Sequence, residues 1–515
     1  MTKCDLRIDK TFHLPSLPNL PNLPYLPYLL TRYNPLMELE VIIGLEVHAQ
    51  MNTKTKMFCA CDNDAWEKGP NTTVCPVCMG HPGTLPVVNK AVIEKAVRSS
   101  VALGCTVNPE SHFDRKNYFY PDLPAGYQIS QYKHPLASHG LVKFSVTDAS
   151  TNRSEPGECR IHRLHIENDA GKLMHRTGHS LCDYNRAGTP LMEIVTEPDL
   201  RSPKQASAFA EELRRILINA GTSEADMYKG MMRFDASISL RPKGETKLYP
   251  RVEIKNLNSF KALEKALQYQ EKILRKLWSE GKQPTGETTV GWIDDEEKTV
   301  LLRDKESAAD YRYFPEPDLP PLQISAAFQA AVTEGLAKLP SEMKAGYVGL
   351  GLTEAEASML VDSEPLRIRF DAIQAAIGEP KRASSLVLTQ MPGFLTAHNK
   401  SLADAPAIAD MVALAKAIHS GAINVNAGKD VLEKMIVSGK SPGEIIKEEG
   451  MGQVSDDATL KTFIAEAITA NPKAIASFKE GKTAALGAIV GAVMKLTKGQ
   501  ADAAKVHTLL LQEIG

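Results

Sequence analysis

No run of eighteen apolar residues occurs in the 515-residue chain, which leaves no segment able to span a bilayer as a helix. A charged stretch followed by an apolar core is missing near the start, which argues against a secretory signal. The Arg-rich amphipathic helix of a mitochondrial leader is excluded by prolines at 15, 18, 21, 24 and 27. Glycines form neither a G-x-x-x-x-G-K-[ST] loop nor a G-x-G-x-x-G turn after a strand, so any ATP used here is held without a P-loop. The net charge of −2 supplies no global surplus of cations, and a site for a polyanion has to be a local patch. Cysteine is sparse: of eight, four fall between 59 and 78 and the rest are scattered. That pattern is too thin for a secreted disulfide framework and fits a reducing cytoplasm with one metal site.

What is present divides the chain into an α+β, multidomain plan. Residues 1–36 carry a Leu-Pro tract of period three, the repeat of polyproline II, and bury no core. They are expected to be a disordered extension, with a docking strip for a partner as the alternative. Residues 37–323 read as strand-rich, with several segments of strict period-two alternation. Residues 324–366 read as a helical connection. Within it, Phe328–Leu339 has a helical pattern ended by Pro340, and Thr353 with Glu356 forms a capping-box signal. Residues 367–515 are Ala-rich and helical throughout, with Pro442, Pro472 and several glycines marking breaks.

Cys59-Ala-Cys61 and Cys75-Pro-Val-Cys78 form two close pairs thirteen residues apart. Four thiolates at this spacing close a tetrahedral zinc site and leave no open position, so the expected role is structural. A redox C-x-x-C is the competing reading, but no βαβ pattern surrounds it. Cys105, Cys159 and Cys182 read as ordinary buried residues.

Several strands carry charge on one face. In Glu40–Gln50, Val41, Ile43, Leu45, Val47 and Ala49 alternate on one side, while Glu46 and His48 share the other. Arg163, His165, Glu167 and Asp169 share a face, as do Arg233, Asp235, Ser237, Ser239 and Arg241. Arg251, Glu253 and Lys255 form a third such set, and Glu193 lies with Leu191, Val195 and Glu197 in Thr189–Glu197. Solvated faces are usually rich in Lys, Thr and Ser; faces dense in carboxylates and Arg suit Mg²⁺ and phosphates. Spacing does not fix whether these faces converge. The aromatic loop Asn117-Tyr118-Phe119-Tyr120-Pro121-Asp122, beside Arg115 and Lys116, either stacks on a base or anchors the core.

Several long stretches carry a resemblance. Ile43-Gly-Leu-Glu-Val-His48, Phe113–Asp122, Tyr127-Gln-Ile-Ser-Gln131, Asp183–Glu193, Ile194–Pro203, Val252–Ser259 and Asp310–Asp318 resemble the B-subunit family of the aspartyl/glutamyl-tRNA amidotransferases. Gly481–Asp502 is similar to that family's YqeY-like tail. The resemblance implies a β-rich, cradle-like catalytic domain with a zinc knuckle, then a helical domain and an all-α tail. It implies a ligase forming carbon–nitrogen bonds with glutamine as amido donor. ATP would phosphorylate the side-chain carboxylate of Glu-tRNA(Gln) or Asp-tRNA(Asn), and ammonia would displace the phosphate. The implied assembly is a heterotrimer with an amidase subunit and a small third subunit. The chain itself has no Ser-Ser-Lys amidase pattern and no Cys-His glutaminase signature, so ammonia has to come from a partner.

Carried over residue by residue, the Mg²⁺ ligands fall on His48, Glu167 and Glu193, with Glu46 beside them. Asp235, Glu253 and Lys255 are further candidates for the pocket, and Arg233 and Lys255 for contact with phosphate. In the tail, where residues 461–515 hold seven Lys and four acidic residues, Lys495 and Lys498 are the candidate tRNA contacts.

Overall fold

The computed structural model describes residues 38–148, 151, 153–304, 311–450, 457–479, 485–497, 501 and 503–514. The Leu-Pro tract and Lys498 lie outside the described residues. The chain forms two compact units. One comprises residues up to Leu213 together with Thr222–Thr333; the other comprises Arg214–Gly221 with the chain from Glu334 onward.

The first unit is built on strands β1 (Leu39–Gln50), β2 (Thr106–Val107), β3 (Glu110–Ser111), β4 (Asp114–Asn117), β5 (Tyr127–Ser130), β6 (Ala137–Asp148) and β7 (Arg153–Asn168). It continues with β8 (Lys172–Arg176), β9 (His179–Asp183), β10 (Pro190–Thr196), β11 (Met232–Pro242), β12 (Val252–Leu257), β13 (Thr288–Ile293) and β14 (Lys298–Asp304). Nine of these make one sheet in the order β14-β13-β12-β11-β1-β10-β7-β6-β2, with β1 at its centre. β4 and β5 belong to a separate small sheet, and β8 pairs with β9.

Alternation along β1 explains why this sheet has a dry face. Val41, Ile43, Leu45, Val47 and Ala49 are all buried, and each large member contributes about 1.5–3 kcal/mol by leaving water. Helices cover that side. Helix Phe260–Ser279 starts at Ser259, whose side chain accepts the Ala262 N–H, and turns Leu263, Ala266, Leu267 and Leu274 inward at helical spacing. Phe260 packs on Phe234 of β11 with ring centroids 5.7 Å apart. Phe209, on helix Pro203–Asn219, meets Phe144 of β6 at 5.9 Å. Toward its C-terminal end the other face of β1 carries Glu46, His48 and Gln50.

The second unit is helical. One hydrophobic cluster runs from Tyr347 to Ile445 and draws on residues from both sides of position 366; a second runs from Leu460 to Leu510. Thr353 and Glu356 form the expected capping box on helix Glu354–Asp362. Pro340 corrects its reading as a stop: the helix before it is Ala326–Thr333, and Pro340 opens helix Pro340–Gly349. Pro442 and Pro472 likewise open helices. A proline at the first helical position gives up an N–H that has no partner there anyway, and its ring already holds the helical φ. No helix among the described residues is long and apolar enough to cross a membrane.

Candidate active site and metal centres

Register brings the charged strand faces together. Across β11, β1, β10 and β7 the pairing aligns Arg233 with His48, His48 with Glu193, and Glu193 with His165. The adjacent row aligns Asp235 with Glu46. Neighbouring strands lie about 4.8 Å apart, so side chains in one row on one face are in contact range.

Glu193 is the hub. Its Oε2 stands 3.4 Å from His48 Nε2 and 3.3 Å from His165 Nε2, and all three residues are buried. His48 Nε2 also lies 3.4 Å from Glu46, and His165 Nε2 lies 3.8 Å from Glu167. Burial opposes a charge on Glu193, but the positive charge of His165 and hydrogen bonds from His165 and His48 outweigh it and hold the carboxyl well below its usual range. Burial likewise opposes charging His165, yet the carboxylates of Glu193 and Glu167 push its imidazole up to about 9. Glu46 behaves in the opposite way: lost hydration and repulsion from Glu193 raise its carboxyl.

Two residues not singled out as ligands or catalysts complete the site. One is His165 itself. The other is Lys116 of β4, whose charge acts on Glu167 and Glu193; burial lowers its tendency to hold a proton, and the two carboxylates more than restore it. Lys116 Nζ sits 5.4 Å from the centre of the Tyr311 ring. Ser130 of β5 donates to Glu167 at 2.9 Å. His165 carried a signal in the sequence, because it shares a face with Glu167. Lys116 did not, because β4 belongs to another sheet.

The remaining candidates form flanking pairs. Lys255 binds Asp235 at 2.7 Å and Glu253 at 3.0 Å. Arg233 donates to Asp169 at 3.2 Å, and Gln50 donates to the other Asp169 oxygen at 3.2 Å. Asp169 is buried, which opposes its charge, but Arg233 and Arg186 keep its carboxyl low.

Among the described residues two ligand groups of three emerge here, Glu46–His48–Glu193 and His165–Glu167–Glu193, each with donor atoms within 4.8 Å of one another. Three carboxylates suit a hard cation, and the imidazoles are the softer members. Nδ1 of both His48 and His165 is buried without a hydrogen-bond partner, so this polar cluster is not closed by the protein alone. The expected trio of His48, Glu167 and Glu193 thus falls across both groups.

The four cysteines Cys59, Cys61, Cys75 and Cys78 also converge, with all sulfurs within 4.8 Å of one another. Zn–S bonds of about 2.3 Å require sulfurs about 3.8 Å apart, which this cage reaches with small adjustments. The turn after Cys75 is shaped for it: the Cys75 N–H donates to Cys78 Sγ at 3.1 Å and the Met79 N–H to the Cys75 carbonyl at 3.0 Å. Hydrogen bonding from Cys59 lowers the Cys78 thiol to about 5, while burial pushes Cys61 up to about 11. Four sulfurs gathered this closely, with the Cys78 thiol pulled down and those of Cys59 and Cys61 pushed up, fit a metal, whose charge favours the thiolate form. Among the scattered cysteines, Cys105 and Cys159 are buried as expected, whereas Cys182 is half-buried. In the aromatic loop Phe119 is 92% exposed, while Tyr118 packs against Tyr311 with ring centroids 6.0 Å apart. In the tail, Lys495 is exposed on helix Leu486–Leu496.

Comparison with known proteins agrees with this layout. Residues 41–330 match the family described as GatB/GatE catalytic domain, and residues 369–514 match the GatB domain. The chain is 43% identical over 481 residues to the B-subunit of the aspartyl/glutamyl-tRNA(Asn/Gln) amidotransferase of Persephonella marina, covering 93% of this chain and 100% of the relative. It is 41% identical over 488 residues to the corresponding protein of Pseudothermotoga lettingae, covering 93% and 100%. The Thermotoga maritima counterpart is 41% identical over 479 residues, covering 92% and 97%. The chain therefore belongs to the GatB/GatE catalytic-domain family, as a member carrying both the sheet-rich domain and the helical GatB domain.

Proposed function

We propose that this protein is the carboxylate-activating subunit of a glutamine-dependent tRNA amidotransferase. The observation that carries the reading is Glu193, held between His48 and His165 in a row with Arg233. In the first step an oxygen of the Glu-tRNA(Gln) or Asp-tRNA(Asn) side chain attacks the γ-phosphorus of ATP, and ADP leaves. In the second, ammonia attacks the acyl carbon, phosphate leaves, and the nitrogen loses a proton to give the amide.

Glu46, His48, Glu167 and Glu193 would hold Mg²⁺, which when bound neutralises charge on the phosphate oxygens. Arg233, Lys255 and Lys116 offer cations around that position, and Arg233 has the planar fork that meets a phosphate bidentately. Asp235 and Glu253 hold the Lys255 ammonium in place. The cage of Cys59, Cys61, Cys75 and Cys78 would take Zn²⁺ and fix the loop beside the sheet. Ammonia is supplied by a separate amidase subunit, and a small third subunit completes a heterotrimer. Residues 37–323 serve as the catalytic domain and 367–515 as the tail that holds tRNA through Lys495 and its neighbours, mostly by backbone and shape. The sequence pattern supports a cytoplasmic enzyme.

Co-expression with the amidase and the small third subunit, followed by an assay of ATP-dependent amidation of Glu-tRNA(Gln) and Asp-tRNA(Asn), tests this directly. ADP and Gln-tRNA or Asn-tRNA are the expected products. A complex that hydrolyses glutamine yet forms no ADP with either charged tRNA overturns the proposal.

A further inference from the structure

At the end of β1, beyond Gln50, the polar face of the sheet opens into a groove of roughly 770 Å³. Its wall carries two aromatic rings that folding leaves in water. Tyr228 is 91% exposed and Trp66 is 42% exposed. The rings form an edge-to-face pair with centroids 6.3 Å apart, and Lys229 Nζ stands 5.7 Å from the Trp66 ring centre. Trp66 lies in the loop between the cysteine pairs and Tyr228 in the turn before β11, so distant parts of the chain have placed them together. Large rings exposed side by side forgo the burial energy they would gain in a core, and such a patch marks a binding surface.

The groove communicates with the site. Gln50 and Arg186 line it, and both reach Asp169: Gln50 by a hydrogen bond and Arg186 by an ion pair of 3.6 Å. Asp169 in turn holds Arg233, which lies opposite His48 in the β1–β11 register. Gln50 also stands two residues beyond His48 on the same face of β1, so the groove begins about 7 Å along the strand from the row that holds Glu193. The cations Lys172, Arg186 and Lys229 are matched by Asp64, Asp183 and Glu224, so the lining is electrically balanced. A balanced lining with exposed rings and side-chain amides suits the flat faces and polar edges of nucleobases better than a run of phosphates.

We propose that this groove receives the single-stranded 3′ end of the charged tRNA, with a base stacked on Trp66 and Tyr228. This rests on the function proposed above and names where that substrate enters. Unpaired RNA ends are recognised by this kind of aromatic platform, and the aminoacyl group is attached to that end, which a groove starting beside His48 would bring next to the carboxylate cluster.

The test uses the complete complex with Trp66→Ala, Tyr228→Ala and the double variant, with Trp66→Phe and Tyr228→Phe as conservative controls. KM is measured separately for Glu-tRNA(Gln) and for ATP, and Kd for uncharged tRNA with and without its single-stranded 3′ end. Each Ala variant should raise KM for charged tRNA about tenfold, leave KM for ATP and kcat within about twofold, and be rescued by Phe. Trimmed tRNA should bind the parent and the variants equally. Unchanged KM for charged tRNA in an active complex overturns the proposal. So does a rise confined to ATP, which would assign the groove to the nucleotide, or an equal loss with trimmed tRNA, which would assign it to the tRNA body. Failure of the parent complex to amidate tRNA would count against the proposed function instead, and the binding arm reads the groove even then.

Discussion

The Lys56 ammonium stands 3.8 Å from the Cys78 sulfur, at the end of a side chain that is fully buried. A buried cation requires a counter-charge, and a thiolate cage provides one. Replacing Lys56 by Met should therefore weaken the hold on zinc without touching a ligand. Loss of such an outer partner typically costs about 10–100-fold in metal affinity. Zinc retained after a chelator challenge, measured by mass spectrometry on the intact protein, should fall in Lys56→Met. Retention equal to the parent would show that the ion pair does not support the cage.

Glu193→Gln keeps the shape of the side chain and removes the charge shared by His48 and His165. ADP formation with charged tRNA should drop by at least about 100-fold, corresponding to about 3 kcal/mol of lost transition-state stabilisation. Glutamine hydrolysis by the amidase partner should persist in the same preparation. Normal Gln-tRNA synthesis by this variant would remove Glu193 from the chemistry.

A third expectation concerns pH and stability in the helical unit. Burial would raise the Glu356 carboxyl from its ordinary 4.5, but Ser384, the Thr353 N–H and Lys381 bind the charged form and hold it at about 2. A carboxyl depressed by folding contributes stability that is full above about pH 4.5 and fades as the pH falls toward 2. Glu356→Gln should destabilise the protein by about 1–2 kcal/mol at neutral pH. The difference from the parent should shrink as the medium is acidified through that window. Urea unfolding followed at several pH values reads it, and a difference that stays constant with pH would refute the assignment.

Gly140 on β6 is needed for lack of space. A Cβ there would collide with Cys105 Sγ and come within 2.8 Å of the Leu103 carbonyl. Gly140→Ala should cost about 1–3 kcal/mol through overpacking, seen as a lower Tm. Adding Cys105→Gly to Gly140→Ala should recover part of the loss if the sulfur is the obstacle.

Legibility in the sequence follows physical range. The period-two pattern of β1 is local, and it correctly assigned Val41 through Ala49 to the core and left Glu46 and His48 on the other face. The cysteine cage was also legible, because both halves are short turns. Register between strands is a tertiary outcome. Nothing near Glu193 in the chain announces that it will lie opposite both His48 and His165. Lys116 was hidden for the same reason, since it arrives from a strand outside the main sheet. Pro340 was misread because a proline looks alike at the end of one helix and the start of the next, and only the length of the preceding helix decides between them.

The alternation along β1 has an evolutionary consequence. From Leu45 to Gln50 its odd positions specify the interior and its even positions the chemistry, so two messages are interleaved letter by letter in one half of the strand. A substitution alters one message and leaves the other intact. Losing or gaining a single residue exchanges the two along the rest of the strand, driving carboxylates into oil and valines into the site. This segment can drift in spelling, but its length is fixed.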